Sequence, residues 1–205
     1  MFLTHIGRSE KVFIMKRLLI ILILTLNFQS WTKADDVSDF EIEGMSIGDR
    51  LTDYFEKEII DNHKKSFYPS SEKFYLITIS REYNLYEYVT FHIKNDGSYI
   101  IAAIKGYVDY PNDINNCKKQ KNKITNSIKL NLNKVNEDSY DSPYETLDDG
   151  KSIAYVTDFK VNGGWIRVWC ENWSTLTENN RSWIDGLAVS ASSNEQDIWI
   201  NEEAY

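Results

Sequence analysis

Two β-hairpin patterns constrain the fold of this chain more than any other feature of its sequence. In each pattern, two runs of alternating apolar and polar residues flank a short turn that contains glycine. Asn, Asp and Gly tolerate the positive φ angles that tight hairpin turns require. The first pattern joins residues 85–94 to residues 99–108 through Asn95-Asp96-Gly97, and the second joins residues 153–161 to residues 165–173 through Asn162-Gly163-Gly164. Both predict antiparallel strands with one buried face.

Helical patterns precede, separate and follow these strands. Ser46 and Asp49 have capping-box spacing, so we expect a helix to begin near Ser46 and a further helical turn at residues 56–63. Pro111 suits the first turn of a helix that runs to about Leu132. Ser192 predicts the cap of a terminal helix, with Glu195 at the capping-box position and Ile198 and Trp199 packed on the body.

The order of these elements predicts the fold class. Strand patterns at residues 74–81 and 183–191 complete two groups of three strands. The order helix, three strands, helix, three strands, helix predicts an α+β fold, with antiparallel meanders and helices packed on one face. On the strand at 99–108, we expect Ile100, Ala102 and Ile104 to share the apolar face.

The segments between these patterns predict loops and solvated surfaces. Residues 133–150 are polar and acidic, so we expect a long loop that is the most mobile internal stretch. Residues 174–181 predict a shorter irregular connection. On the middle helix, Ile114, Cys117, Ile124 and Ile128 share one side. Most of the lysines at 118, 119, 121 and 123 are expected to face water.

The first 34 residues predict a cleavable secretory signal peptide. Lys16 and Arg17 precede the apolar run at residues 18–26, and Ala34 supplies a small residue at the cleavage point. That run is shorter than the roughly 20 residues of a membrane span, so a retained anchor is the less favoured alternative. The signal is complete from Met15, which we expect to be the true start, although a long charged region from Met1 fits as well. Residues 35–205 are then a single globular domain in the periplasm or outside the cell.

The charge of the mature chain limits its partners. Without residues 1–34, the chain has 18 Lys and Arg against 30 Asp and Glu, a net charge of −12. Nucleic-acid and anionic-membrane binding both need clustered basic residues, so the acidic balance argues against each. No integral membrane segment is expected after cleavage. Cationic small molecules and basic proteins remain compatible with this charge.

The two cysteines of the chain predict a disulfide. Exported proteins reach an oxidising compartment, and Cys117 and Cys170 are the only cysteines. Cys117 shares the apolar side of the middle helix, and Cys170 shares the strand face of Ile166 and Val168. The bond would therefore join that helix to the second group of strands. Two buried free thiols are the alternative.

One strand carries an unusual row of aromatic and charged residues. Alternation places Ile166, Val168 and Cys170 on one face and the other five residues on the opposite face. Those five are Trp165, Arg167, Trp169, Glu171 and Trp173. Aromatic platforms separated by charges suit flat or cationic ligands and sugar rings. The alternative, which the usual burial of large aromatics favours, is that a helix or the polar loop covers the rings and that Arg167 bridges Glu171.

No catalytic, cofactor or metal motif stands out in the sequence. The mature chain has only His63 and His92, too few and too far apart for a histidine metal site. A nucleophilic pair of Cys117 and His92 is disfavoured by the expected disulfide. The segment Gly150-Lys151-Ser152 lacks the first glycine of a phosphate-binding loop. We therefore expect no catalytic residues, no cofactor and no metal.

Three short segments resemble an uncharacterised family of small exported proteins from marine bacteria with AT-rich genomes. They are Phe40 to Asp49 (FEIEGMSIGD), Ile114 to Cys117 (INNC) and Cys170 to Ser174 (CENWS). The resemblance covers most of the mature chain, and it implies no known activity, substrate or catalytic residue.

Taken together, these features predict a non-catalytic periplasmic or secreted domain that binds a protein, a small molecule or a carbohydrate. A hydrolase with an unrecognised site is one alternative, and a structural or inhibitory envelope protein is another. An exposed face at Trp165, Trp169 and Trp173 would favour binding. A deep pocket with acids converging around His92 would favour catalysis.

Overall fold

One antiparallel sheet organises the chain in a computed structural model that describes residues 36–132, 135–147 and 151–205. Eight strands in the described residues follow the spatial order β1-β2-β3-β4-β8-β7-β6-β5. The strands are β1 (Ser66–Phe67), β2 (Phe74–Ile79), β3 (Tyr88–Lys94), β4 (Ile101–Asp109), β5 (Asn136–Pro143), β6 (Ile153–Val161), β7 (Gly164–Asn172) and β8 (Gly186–Ser193). Two four-strand meanders therefore meet through their last strands, β4 and β8, at the centre of the sheet.

Four helices accompany this sheet in the described residues, which confirms the α+β class, although the sheet dominates. They are α1 (Lys57–Asn62), α2 (Ile114–Asn131), α3 (Thr175–Arg181) and α4 (Asn194–Glu202). The side chain of Asp113 caps α2 by accepting a hydrogen bond from the backbone N–H of Asn116. No helix of residues 36–132, 135–147 and 151–205 is both long and apolar enough to cross a membrane. The signal-peptide prediction concerns residues 1–34, which lie outside the described ranges.

The face of the sheet beneath α2 carries the main core. Val89, Phe91 and Ile93 on β3 are fully buried, as are Ile166, Val168 and Cys170 on β7. Both sets follow the predicted alternation, so the predicted faces of these strands are confirmed. Cys117 on α2 and Cys170 form the predicted disulfide, with their Cα atoms 6.0 Å apart. The bond ties α2 to the strand that carries the aromatic row.

The N-terminal segment forms no helix near Ser46, contrary to the sequence prediction. The carboxylate of Asp49 does accept a hydrogen bond from the Ser46 N–H at 2.8 Å, as a capping box requires. Gly48, however, has a φ of 92°, outside the helical region, and its N–H donates to the carbonyl of Ile101 at 2.9 Å. Backbone pairing with the start of β4 therefore replaces the helix, and only a 3₁₀ turn forms at Leu51–Asp53.

The acidic segment at 133–150 contains a strand, so the prediction of a long loop was wrong for most of it. All eight residues of β5 pair with β6, because the outer backbone groups of β6 would otherwise lack partners. Tyr140 donates a hydrogen bond to Asp158 at 3.0 Å, which adds a diagonal side-chain contact between the two strands. Residues 133–134 and 148–150 lie outside the described ranges, and the predicted mobility of the segment stays a prediction.

Capping side chains correct two further predictions. The segment predicted to be irregular contains α3, because the hydroxyl of Ser174 accepts a hydrogen bond from the N–H of Thr177 at 3.1 Å. The terminal helix is capped by Ser193, one residue later than predicted. Trp199 is fully buried as expected, but Ile198 is 53% exposed.

One lysine of α2 is buried, and one residue of β4 lies on a different face from that predicted. Lys121 of α2 is buried and donates a hydrogen bond to Thr157 at 2.6 Å, whereas Lys119 and Lys123 are exposed as expected. Ala102 packs in a small cluster with Phe74 and Trp199, apart from Ile104, because the register between β3 and β4 shifts at His92 and Ile93. That cluster holds α4 against the second face of the sheet, so the prediction that the helices pack on one face was wrong.

Candidate functional site

The sheet face opposite α2, called here the open face, has a floor of small residues between two walls of large ones. Strand β8 lies between β4 and β7. Its residues on this face are Gly186, Ala188, Ser190 and Ser192. The first three pair with larger residues on both neighbours, and Ser192 pairs with Trp165 on β7 and with the small Ala103 on β4. Such a difference in side-chain size leaves room above β8. The open face is therefore shaped to admit a ligand between β4 and β7.

A polar row crosses the middle of the open face. Cross-strand register aligns Thr78, Thr90, Lys105, Ser190, Arg167 and Asp158 in that order. Both ends of the row are paired internally. The hydroxyls of Thr78 and Thr90 are 2.9 Å apart, and the Arg167 guanidinium donates to the Asp158 carboxylate at 2.7 and 2.8 Å. Lys105 and Ser190 remain at the centre.

A first cavity, called the Glu171 cavity, has a volume of about 770 Å³. The Glu171 carboxylate accepts hydrogen bonds from the hydroxyls of Tyr107 at 3.1 Å and Tyr144 at 3.0 Å, and from the Trp169 indole at 3.0 Å. Burial and the Glu171 charge both raise the pKa of Tyr107, so its phenol stays protonated and able to donate. This hydrogen-bond network fixes the cavity wall.

Aromatic rings in contact with one another line much of the Glu171 cavity. The ring of Trp173 lies 4.6 Å from the ring of Tyr144 and 4.6 Å from the ring of Trp183, centroid to centroid. Tyr88 stacks on Tyr107 at 5.1 Å. All of these residues line the cavity. Aromatic faces packed on one another at an open cavity provide an apolar platform with polar edges.

A second cavity, called the His92 cavity, has a volume of about 730 Å³ and lies between the open face and α4. Trp165 and Trp169 line it from β7, and Asn201 lines it from α4. Gln196 donates a hydrogen bond to Nδ1 of His92 at 3.0 Å. Burial, with a smaller effect of the Lys105 charge, lowers the pKa of His92 to about 4, so the ring is neutral at pH 7.

Lys105 lines both cavities. Within the part of the chain that the structure describes, its ammonium has no hydrogen-bond acceptor and no ion-pair partner. Its closest aromatic contact is Trp169, whose ring centroid lies 6.0 Å from Nζ. Burial lowers the pKa of Lys105, and the Glu171 charge opposes this effect only in part. No polar side-chain atom of the described residues is both buried and unbonded, so the ammonium is open to cavity water.

The predicted aromatic row is present on the open face. Trp165, Trp169 and Trp173 are each half-buried rather than enclosed as core residues. Other parts of the chain therefore cover these three rings only in part. Arg167 forms its ion pair with Asp158 and not with Glu171. The row is divided between the two cavities, since Trp165 and Trp169 line one and Trp173 lines the other.

Sequence reasoning missed Lys105, Tyr88, Tyr107, Tyr144 and Trp183 as site residues. Lys105 had a local signal, because it is the one charged residue in the run Ile101 to Val108 and lies opposite Ile104 in the alternation. Tyr144 and Trp183 had none, since they lie in segments predicted to be a loop or the start of a strand. Non-local strand pairing brings them to the cavity.

Catalytic groups do not converge at His92. Its hydrogen bond is to an amide, and Cys117 is held in the disulfide, so the Cys–His pair does not form. Asp158, the carboxylate that shares the His92 cavity on the sheet side, is bound to Arg167. Among residues 36–132, 135–147 and 151–205, no group of His, Cys, Asp and Glu has the arrangement of a metal site.

No protein-family model, curated protein or solved structure matches this chain significantly.

Proposed function

We propose that the protein is an exported, non-catalytic binding domain that takes a small ligand on the open face of its sheet. One observation carries the proposal. Two cavities of about 770 and 730 Å³ lie side by side on this face, and half-exposed aromatic rings line both. Ligand sites in proteins are typically concavities of this size with aromatic walls and a few directed polar groups. The export component rests on the N-terminal signal pattern.

The rigidity of the site supports binding. Trp169 lies on β7, and its indole donates a hydrogen bond to Glu171 at 3.0 Å. Trp173 follows β7 directly, and its indole donates to the Ile184 carbonyl at 3.1 Å. Side chains fixed in this way lose little further entropy when a ligand stacks on them. The open face is therefore prepared for a ligand before the ligand arrives.

The hydrolase alternative has less support than binding. His92 is neutral and bonded to Gln196, so it has no carboxylate to orient it as a general base. The carboxylate of Glu171 is engaged by three donors in the ground state. A structural or inhibitory role does not require the two cavities, and we rank it below small-ligand binding.

The test is a ligand screen of the mature protein, residues 35–205, monitored by tryptophan fluorescence. Every tryptophan of that chain lies at or after residue 165, and four of the five line the cavities. We expect a binding ligand to quench or shift the emission at saturating concentration. The panel should contain neutral sugars, sugar acids, aromatic acids, amines and amino acids.

Two matched variants locate the ligand. Trp165→Phe removes an indole from the His92 cavity, and Trp173→Phe removes one from the Glu171 cavity. The affinity should fall in one variant and persist in the other, according to the cavity used. If no compound of a broad panel changes the emission, or if neither variant alters a measured affinity, small-ligand binding at this face is refuted.

A further inference from the structure

Lys105 lies in the centre of the open face and forms no ion pair with any of the described residues. Its strand neighbours in the polar row are Thr90 and Ser190, both uncharged. The Thr90 hydroxyl is paired with that of Thr78 at 2.9 Å. Neighbouring strands lie about 4.8 Å apart, so Ser190 places its hydroxyl beside the base of the Lys105 side chain on the same face. The row thus presents a charged donor beside a hydroxyl at the floor of the His92 cavity.

Several charged groups near Lys105 are held by other partners, and Asp109 and Arg181 line the Glu171 cavity with it. Arg167 pairs with Asp158, and Asp197 of α4 adds a second negative charge near the same guanidinium. The negative charge of Glu171 raises the pKa of Lys105, but the two residues form no ion pair. The Glu171 carboxylate instead accepts hydrogen bonds from Tyr107, Tyr144 and Trp169. An anion is therefore the ligand group that Lys105 lacks. A charge-assisted hydrogen bond in such a site is stronger than a neutral one.

The overall charge limits that anion to a single negative group. The mature chain carries a net charge of −12, so it repels extended polyanions before they reach the cavity. Within the cavity, a single carboxylate interacts with Lys105 at short range, where salt screening is weak. The net negative charge repels a monoanion less than a polyanion, and the local cation attracts the monoanion.

The remaining lining of the His92 cavity favours a sugar ring over an aromatic one. Trp165 and Trp169 present flat apolar faces, and Ser190, Ser192 and Asn201 add hydroxyl and amide groups around them. A ligand with several hydroxyls can bond to these groups. An aromatic acid would bury the same groups without partners, which is unfavourable.

We infer that the His92 cavity binds a uronic acid, with the sugar carboxylate on Lys105 and Ser190 and the sugar ring against Trp169. The inference rests on the proposed function of the open face, and it adds the ligand class and the residue that selects it. Lys105 is then the specificity-determining residue, because the corresponding neutral hexose lacks the carboxylate.

Titration of the mature protein with defined sugars tests this inference. The probes are D-glucuronate and D-galacturonate, with D-glucose and D-galactose as neutral counterparts and benzoate as an aromatic acid, all at pH 7. We expect one or both uronates to quench tryptophan emission. The matching hexose should bind at least ten-fold more weakly, as expected for loss of a charged hydrogen bond.

Two lysine variants supply the residue-level test. Lys105→Met keeps the length of the side chain and removes its charge, and it should weaken uronate binding by roughly 10- to 100-fold. Lys123→Met is the matched control, because Lys123 is exposed on α2, on the opposite face of the sheet, and should bind like the unmodified protein. Circular dichroism reports whether each variant folds. The comparison of uronate and hexose binding uses only the unmodified protein, so it tests the inference even if a variant does not fold.

The outcomes separate this inference from the proposed function. Equal binding of uronate and hexose, or unchanged uronate binding in Lys105→Met, overturns the carboxylate site while small-ligand binding stands. Binding of benzoate but not of the uronates overturns the sugar class. If only another compound of the broad panel binds, the inference fails and the binding function stands. If nothing binds, both fail.

Discussion

The Cys117–Cys170 disulfide should contribute about 4 kcal/mol to the free energy of unfolding. The bond links residues separated by 53 positions. Closing a loop of that length removes conformational entropy from the unfolded chain, and the chain-entropy relation gives about 4 kcal/mol at 25 °C. Typical domains unfold with about 5–15 kcal/mol, so the reduced protein should remain folded but with much less stability. With a urea m-value of about 2 kcal/mol/M, the unfolding midpoint should fall by about 2 M.

The assay is urea unfolding of the mature protein, followed by circular dichroism in the oxidised state and in the presence of dithiothreitol. The reduced protein keeps both sulfur atoms, so the difference between the two curves reports the cross-link alone. The double variant Cys117→Ala, Cys170→Ala removes the sulfur atoms as well, and both positions are fully buried. We expect it to be less stable than the reduced protein, because it also loses packing.

A stability difference below about 1 kcal/mol between oxidised and reduced protein would refute this reasoning. It would mean that the unfolded chain already holds α2 near β7, so that the bond constrains little. Two titratable thiols in denatured, unreduced exported protein would contradict the bond itself.

Three further predictions concern other parts of the molecule. Folding lowers the pKa of His92 from 6.5 to about 4. Between these two pH values the unfolded chain binds more protons than the folded chain. The free energy of unfolding should therefore fall by up to about 3 kcal/mol from pH 7 to pH 4. The variant His92→Gln should lack that part of the pH dependence in urea titrations, and equal slopes would contradict the assignment. Trp199 is fully buried, and its indole donates a hydrogen bond to Ser71 at 2.8 Å. Trp199→Ala should therefore lower the free energy of unfolding by about 3–5 kcal/mol in thermal or urea unfolding. A decrease under about 1 kcal/mol would show that α4 is not anchored by this residue. Mass spectrometry of exported protein should give a chain that begins close to residue 35, and an intact Met1 or Met15 in the soluble fraction would refute the signal peptide.

The alternation of the strands made much of the fold predictable. On β7, period-two alternation alone placed Ile166, Val168 and Cys170 toward the core and Trp169 on the opposite face. On α2, helical spacing placed Cys117 on the apolar side of the helix. These two placements led to the correct disulfide. These features are local, because the direction of each side chain along a strand or helix is fixed by the backbone geometry of that element.

Local patterns failed where a segment had to satisfy the backbone of another. The capping-box pattern at Ser46 predicted a helix, but the N–H of Gly48 donates to the carbonyl of Ile101 at the start of β4, and the positive φ of Gly48 is outside the helical region. The acidic stretch around Tyr140 looked like a loop, yet it pairs fully with β6. In both cases, unpaired backbone groups on a strand outweighed the intrinsic preference of the polar sequence.

The sequence by itself determined which residues share a face, whereas only the tertiary structure decided which faces meet. Lys105 and Ser190 are 85 positions apart, and they become neighbours because the two meanders join through β4 and β8. The pairing of β7 with β8 places Arg167 on the other side of Ser190, where it is bound to Asp158. Among the described residues, Lys105 forms no ion pair. Pairing between distant strands is selected by the burial and hydrogen bonding of the whole sheet, and no local period in the sequence encodes it.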